Sequence, residues 1–81
     1  MVTIIEKKIL EKMFFDRIIG ARHTSADNIP KGFPKHLRGE VKKALRRLIR
    51  DGYIRAKMTH YGMKVSLNPR RVKEIREILG T

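Results

Sequence analysis

Cysteine and tryptophan are absent from this chain, and its 81 residues include only three Phe and two Tyr. Without cysteine there is no disulfide, no thiolate metal site and no cysteine nucleophile. No run of about 18 apolar residues occurs, so we expect no transmembrane helix and no membrane partner. Acids and bases are mixed over the first eight residues, from which we expect no signal peptide.

Acidic residues are also few, with 8 Asp and Glu against 20 Lys and Arg, for a formal net charge of +12 at pH 7. Apolar residues make up 41% of the chain, which indicates one small folded domain over residues 1–81. A polyanionic partner such as nucleic acid would offset the self-repulsion of this charge. The competing interpretation is the cationic surface of a thermophile protein, which the absence of Gln and the abundance of Lys, Arg, Glu and Ile favour.

The placement of the charge separates these two interpretations. Residues 1–20 carry +1, residues 21–30 are neutral, residues 31–57 carry +8 and residues 58–81 carry +3. A thermophile surface would spread and pair its charges, whereas the middle of this chain has few acids to pair with. The distribution therefore favours a specific anionic partner.

The first helix is predicted from Thr3 and Glu6, which have capping-box spacing, and it should end near Gly20. Its apolar side chains form two nearly opposite stripes, one with Ile5, Ile9 and Ile19 and the other with Leu10, Phe14 and Ile18. A surface helix needs only one apolar face. We therefore predict a homodimer through the first helix, with a different protein or a missing domain as the alternative occupant of the second stripe.

Proline and glycine break up residues 21–34. A single helical turn is predicted over residues 25–29, closed by Pro30. The next helix should start between residues 35 and 39 and stop at Gly52. Its apolar positions have strict helical spacing and are Val41, Ala44, Leu45, Leu48 and Ile49.

After that helix the apolar period changes to about 2, which predicts a β-hairpin with its turn at residues 60–62. Both Met58 and Met63 fall on the apolar face of this hairpin, so we expect them in the core. Asn68 and Pro69 have the N-cap and first-position spacing of a short final helix.

The helix that ends at Gly52 carries five cations on the face opposite its apolar stripe, with no acid four residues away on that face. They are Lys42, Lys43, Arg46, Arg47 and Arg50. Like charges at this spacing repel by a few tenths of a kcal/mol per pair. The pattern favours a helix that lies against phosphates over a helix face that is merely solvated.

Three stretches resemble the winged helix-turn-helix DNA-binding superfamily, and small archaeal winged-helix proteins in particular. The most specific is Leu45–Ile54, in which a helix with spaced leucines passes into Asp-Gly-Tyr-Ile; the others are His23–Gly39 and Tyr61–Pro69. The resemblance implies an α+β fold with three helices, a two-stranded β-hairpin wing and a C-terminal helix.

The resemblance also implies a function. In that superfamily the second helix of the helix-turn-helix enters the major groove and the wing touches the backbone or the minor groove. Carried over residue by residue, the DNA-binding side chains would be Lys35, His36, Arg38, Lys42, Lys43, Arg46, Arg47, Lys57, His60, Tyr61 and Lys64. Arg38 and Lys42 are the candidates for contact with guanine edges. We expect a cytoplasmic, nucleoid-associated transcriptional regulator without cofactor.

Two other functions remain open from the sequence: an RNA-binding winged helix associated with the ribosome or tRNA, and a winged helix that binds protein. The few aromatic residues argue weakly against recognition of single strands. His23, His36 and His60 lie far apart without Cys companions, so we expect no metal site. Because the carboxylates lie beside Lys or Arg and no Ser-His-Asp set or phosphate-binding glycine loop occurs, we expect no enzyme.

Overall fold

The elements that the local patterns predict are present, together with one strand that they do not predict. The computed structural model describes residues 2–81 and has an α+β fold. Its helices are α1 (Ile4–Phe15), α2 (Asn28–Lys31), α3 (Arg38–Arg50) and α4 (Val72–Leu79). Its strands are β1 (Thr24–Ser25), β2 (Ile54–Thr59) and β3 (Gly62–Leu67), in the antiparallel order β1-β3-β2. Short 3₁₀ turns at Lys35–Leu37 and Pro69–Arg71 lead into α3 and α4.

The start of α1 confirms the predicted capping box. The Thr3 amide donates to Glu6 Oε1 at 2.8 Å, and the Glu6 amide donates to Thr3 Oγ1 at 3.2 Å. Two amides of the first turn that have no partner within the helix are satisfied in this way.

The predicted end of α1 near Gly20 is wrong, because the helix stops at Phe15. Arg17 adopts a left-handed conformation with φ of 57°. The amides of Arg17 and Ile18 then donate back to the carbonyls of Phe14 and Met13, which is the hydrogen-bond pattern of a Schellman motif. Glycine usually occupies the left-handed position, so an arginine there gives no signal in the sequence.

The prediction that one of the two predicted stripes of α1 lies outside the core is also wrong. Ile9 and Leu10 come from the two opposite stripes, and both are fully buried in the same core. Ile18 and Ile19 have already left the helix, and Ile19 pairs with Leu67 of β3. The core covers both stripes because α1 packs against α3, α4 and β3.

The second helix and the strand before it differ from the predicted turn at residues 25–29. Thr24 pairs with Val65, which makes β1 a third strand where the sequence predicted a two-stranded sheet. The helix α2 then includes Pro30 rather than ending before it. Proline is tolerated there because the amides of a first helical turn have no partner within the helix.

The third helix follows its predicted pattern. It begins at Arg38, after the 3₁₀ turn, and its buried side chains are Val41, Ala44, Leu45 and Leu48. They pack with Ile9, Leu10 and Met13 of α1 and with the inner face of the sheet in one cluster. This stripe fixes which side of α3 faces solvent.

The hairpin is in the predicted place, but its tip lies outside the core. Ile54 pairs with Leu67 and both are buried, whereas Met58 pairs with Met63 at the far end. The prediction that Met58 lies in the core is wrong, since its side chain is 76% exposed, while Met63 is half-buried. An alternating pattern continues along a strand whether or not other elements reach far enough to cover it.

The cap predicted for the C-terminal helix is present, but it begins the 3₁₀ turn Pro69–Arg71, and α4 itself begins only at Val72. Asn68 accepts a hydrogen bond from the Arg70 amide at 3.0 Å, and Pro69 takes the first position. The same Asn68 side chain donates to the Gly52 carbonyl at 2.9 Å, which ties the start of this segment to the end of α3.

One ion pair joins α1 to α3 beside the core. Glu6 is 5% exposed, and its Oε2 accepts from Arg47 Nε at 3.1 Å. Burial by itself would raise the pKa of the Glu6 carboxyl. Hydrogen bonds from the Thr3 backbone and from Arg47 outweigh that effect and hold the pKa below its ordinary value of 4.5.

Replacing Glu6 by Ala removes the acceptor of both Thr3 and Arg47. We expect Glu6→Ala to lower the free energy of unfolding by about 1.5–3 kcal/mol in urea at pH 7, the usual range for charged hydrogen bonds. The control is Glu77→Ala on α4, because Glu77 is exposed and its loss should change stability by less than about 0.5 kcal/mol.

The same carboxylate makes part of the stability depend on pH. Because its pKa is lower in the folded chain than in the unfolded chain, its contribution is complete above pH 4.5 and is lost as the pH falls through the folded pKa. The stability difference between the parent chain and Glu6→Ala should therefore shrink between pH 7 and about pH 3. A difference that stays constant over that range would contradict this assignment.

Candidate nucleic-acid interface

The side of α3 that faces away from the core carries exposed cations. Lys42, Lys43 and Arg46 are all exposed, because they occupy the helical positions between the buried ones. Within residues 2–81 none of these three forms an ion pair. We refer to Lys42, Lys43 and Arg46 as the α3 cations.

The other two predicted cations of that face are engaged with acids. Arg47 is paired with Glu6 of α1, and Arg50 Nε lies 3.1 Å from the Asp51 carboxylate, with both side chains largely exposed. Asp51, four residues after Arg47, pairs with Arg50 instead, and the partner of Arg47 lies on α1, 41 residues earlier in the chain. Arg47 therefore flanks the α3 cations as a structural ion pair.

Two more of the predicted side chains lie in the turn before α3. Lys35 and His36 are exposed in the 3₁₀ turn Lys35–Leu37. Lys35 extends the positive charge of α3 beyond its N-terminal end, where the helix dipole is also positive.

Arg38 is placed differently from the other candidates. Its side chain is half-buried, and its Nε is shielded from solvent without a hydrogen-bond partner. A buried donor without an acceptor costs about 1–3 kcal/mol. Of the two side chains predicted to reach base edges, Lys42 is the exposed one.

An open groove of about 270 Å³ connects the α3 cations to the rest of the fold. Lys42 and Arg46 of α3, Pro30 of α2 and Met63 of β3 line it, together with the carboxylate residue Asp27. The Ala26 amide donates to the Met63 carbonyl at 2.8 Å, which holds the segment before α2 against the hairpin. The basic face of α3, α2 and the hairpin therefore border one continuous surface.

The outer face of the hairpin is basic as well. Lys57 lies directly opposite Lys64 in the β2–β3 register, and Arg55, two residues before Lys57, lies on the same face. Like charges in directly opposed positions destabilise a sheet. Arg55 was not among the predicted site residues, although its alternation with Lys57 would have placed it on this face.

The tip of the hairpin presents two large exposed side chains, Tyr61 at 90% and Met58 at 76%, next to exposed His60. Thr59 closes the tip, since its hydroxyl donates to the Gly62 carbonyl at 2.7 Å and accepts from the Tyr61 amide at 3.2 Å. The left-handed φ of 108° at Gly62 suits the tight turn. Met58 is therefore a candidate residue of the interface, although the alternating pattern predicted it to lie in the core.

Over residues 2–81, no three His, Cys, Asp or Glu side chains come together as metal ligands. Nor does that part of the chain contain a helix with the length and apolar character needed to cross a bilayer. No protein-family model, no curated protein and no solved structure matches this chain.

The unpartnered Nε of Arg38 gives a stability prediction. We expect Arg38→Met to keep the melting temperature unchanged or to raise it slightly, because methionine fills a similar space without an unpaired donor. Thermal unfolding followed by circular dichroism is the measurement. A decrease of more than about 2 kcal/mol in the free energy of unfolding would show instead that the guanidinium makes net stabilising contacts.

Proposed function

We propose that this chain is a winged helix-turn-helix protein that binds double-stranded DNA and regulates transcription. In this proposal α2 and α3 form the helix-turn-helix, and the β2–β3 hairpin is the wing. The observation that carries the proposal is the set of α3 cations, which cover the exposed side of a well-packed helix without ion-pair partners among residues 2–81. A chain with 20 basic residues would otherwise gain stability by pairing them.

The dimensions of α3 suit a major groove. Its 13 residues span about 20 Å, and a groove about 12 Å wide admits one α-helix with its side chains. Lys43 and Arg46 would neutralise phosphates, and Lys42 would reach toward guanine O6 and N7. Lys35 and His36 would contact the backbone where the helix enters the groove.

The hairpin would add a second contact. Lys57 and Lys64 carry charge that phosphates would neutralise. Met58 and Tyr61 project from the tip as large, partly apolar side chains, which proteins use to widen or kink a minor groove.

The exposure of Tyr61 also supports the second candidate, an RNA-binding winged helix. An aromatic ring that is 90% exposed beside His60 could stack on an unpaired base. A symmetric dimer would favour DNA over RNA. If a two-fold axis placed two α3 helices about 34 Å apart, they would match the spacing of one turn of a DNA duplex.

Titration of duplex DNA, a structured RNA and single strands at several salt concentrations tests the proposal. We expect duplex DNA to bind most tightly, with the logarithm of the association constant falling by about 0.9 per phosphate contact for each unit of log salt. Tightest binding of the RNA would favour the second candidate. Failure of all three to bind would contradict both.

The α3 cations should dominate that salt dependence. We expect simultaneous replacement of Lys42, Lys43 and Arg46 by Ala to reduce the salt slope by about 2–3, because each lost phosphate contact releases one fewer counterion. The matched control replaces Arg22, Lys73 and Arg76, which are exposed cations away from α3. If both variants lose affinity equally, net charge rather than α3 is responsible.

Single substitutions should separate groove contacts from backbone contacts. We expect Lys42→Ala to relax sequence preference by about 1–3 kcal/mol at one base pair, and Lys57→Ala to weaken all sequences alike. Selection from a random duplex pool, followed by sequencing of the bound fraction, measures both effects. Unchanged sequence preference in Lys42→Ala would remove that residue from the base-reading set.

A further inference from the structure

The outer face of α1 exposes two large apolar side chains that the domain itself does not cover. Ile4 is 78% exposed and Phe15 is 65% exposed. They stand at opposite ends of the helix, 11 residues apart, so they lie within about 20° of one another around the axis and about 16 Å apart along it. Both therefore belong to one narrow stripe.

The same stripe carries one cation and one anion between them. Lys8 and Glu11 are exposed, and over residues 2–81 neither forms an ion pair. The four positions have the spacing i, i+4, i+7 and i+11, which is the spacing of a coiled-coil seam. We refer to Ile4, Lys8, Glu11 and Phe15 as the α1 seam.

The α1 seam is complementary to itself when reversed. A two-fold axis that passes between residues 9 and 10 would bring Ile4 of one copy onto Phe15 of another, and Lys8 onto Glu11. An antiparallel pair of α1 helices would thus contain two apolar contacts and two opposite-charge contacts. A parallel pair would place Lys8 on Lys8 and Glu11 on Glu11, which costs free energy.

Contacts within the domain support the two ends of the α1 seam and one of its flanks. The Phe15 ring packs edge-on against the half-buried Phe14 ring, with centroids 6.2 Å apart, and the capping box fixes the helical turn that bears Ile4. On the flank of the stripe, Lys12 is drawn to its own domain by a bond to the Gly32 carbonyl at 3.3 Å and by the Phe33 ring.

We propose that the α1 seam binds a second copy of this chain in antiparallel orientation, forming a two-fold symmetric dimer. The proposal rests on the surface of α1 and not on the proposed function. A pair of 12-residue helices buries less than the roughly 800 Å² per partner of a standard interface. The dimer is accordingly a weak one, formed in the micromolar range or above.

Charge reversal tests both the surface and the orientation. Sedimentation equilibrium of the parent chain, without nucleic acid, should show an average mass that rises from 9.5 kDa toward twice that value with concentration. Lys8→Glu and Glu11→Lys should each weaken self-association at least tenfold, because each places like charges in contact twice. Circular dichroism should confirm that both variants keep their helix content.

A mixture of the two variants is the decisive measurement. A Lys8→Glu chain opposite a Glu11→Lys chain regains both opposite-charge contacts, so the mixture should associate as tightly as the parent although neither variant does so alone. Lys73→Glu on α4 is the matched control and should leave self-association unchanged. A parent chain that stays monomeric at millimolar concentration, or a mixture that fails to associate, would overturn the proposal whatever the outcome with DNA.

Discussion

Burial of one stripe of α3 against α1 and the sheet determines where the other parts of this protein lie. Val41, Ala44, Leu45 and Leu48 can leave water only on one side of the helix. The intervening basic side chains must then face outward, since an unpaired charge in the core would cost several kcal/mol. Hydrophobic packing therefore creates the basic surface, and α1 supports it by burying side chains from both of its apolar stripes.

The scarce acids have a complementary role. Glu6 is buried beside the core and pairs with Arg47, while Asp51 and Glu74 pair with Arg50 and Arg71. Arg71 also stacks on the Tyr53 ring at 4.3 Å. Arg47 and Arg71 link distant segments of the fold, Arg50 pairs with its neighbour in sequence, and the α3 cations remain without acidic partners among residues 2–81. Because each ion pair is neutral, the net charge of +12 belongs to cations outside these pairs, the α3 cations among them, and an anionic partner would neutralise it.

The caps predicted from neighbouring residues were confirmed, although the local glycine signal for the end of α1 was not. The capping box at Thr3 and Glu6 and the N-cap at Asn68 need hydrogen bonds over three residues or fewer. Predictions that depended on distant residues were less successful. The strand β1 forms because Thr24 pairs with Val65, 41 residues away. A strand of two residues is too short to show an alternating pattern in the sequence. Met58 has the alternation of a buried strand residue, but no other element extends to it.

The sequence by itself determined the elements α1, α3, the hairpin and α4, and the cationic face of α3, because helical periodicity, alternation and capping act within a few residues. Only the tertiary structure decided that both stripes of α1 enter one core, that Arg47 is committed to Glu6, and that Ile4 and Phe15 remain uncovered. Those outcomes depend on which surfaces meet after the chain folds back on itself, and that meeting is set by packing between elements far apart in the sequence.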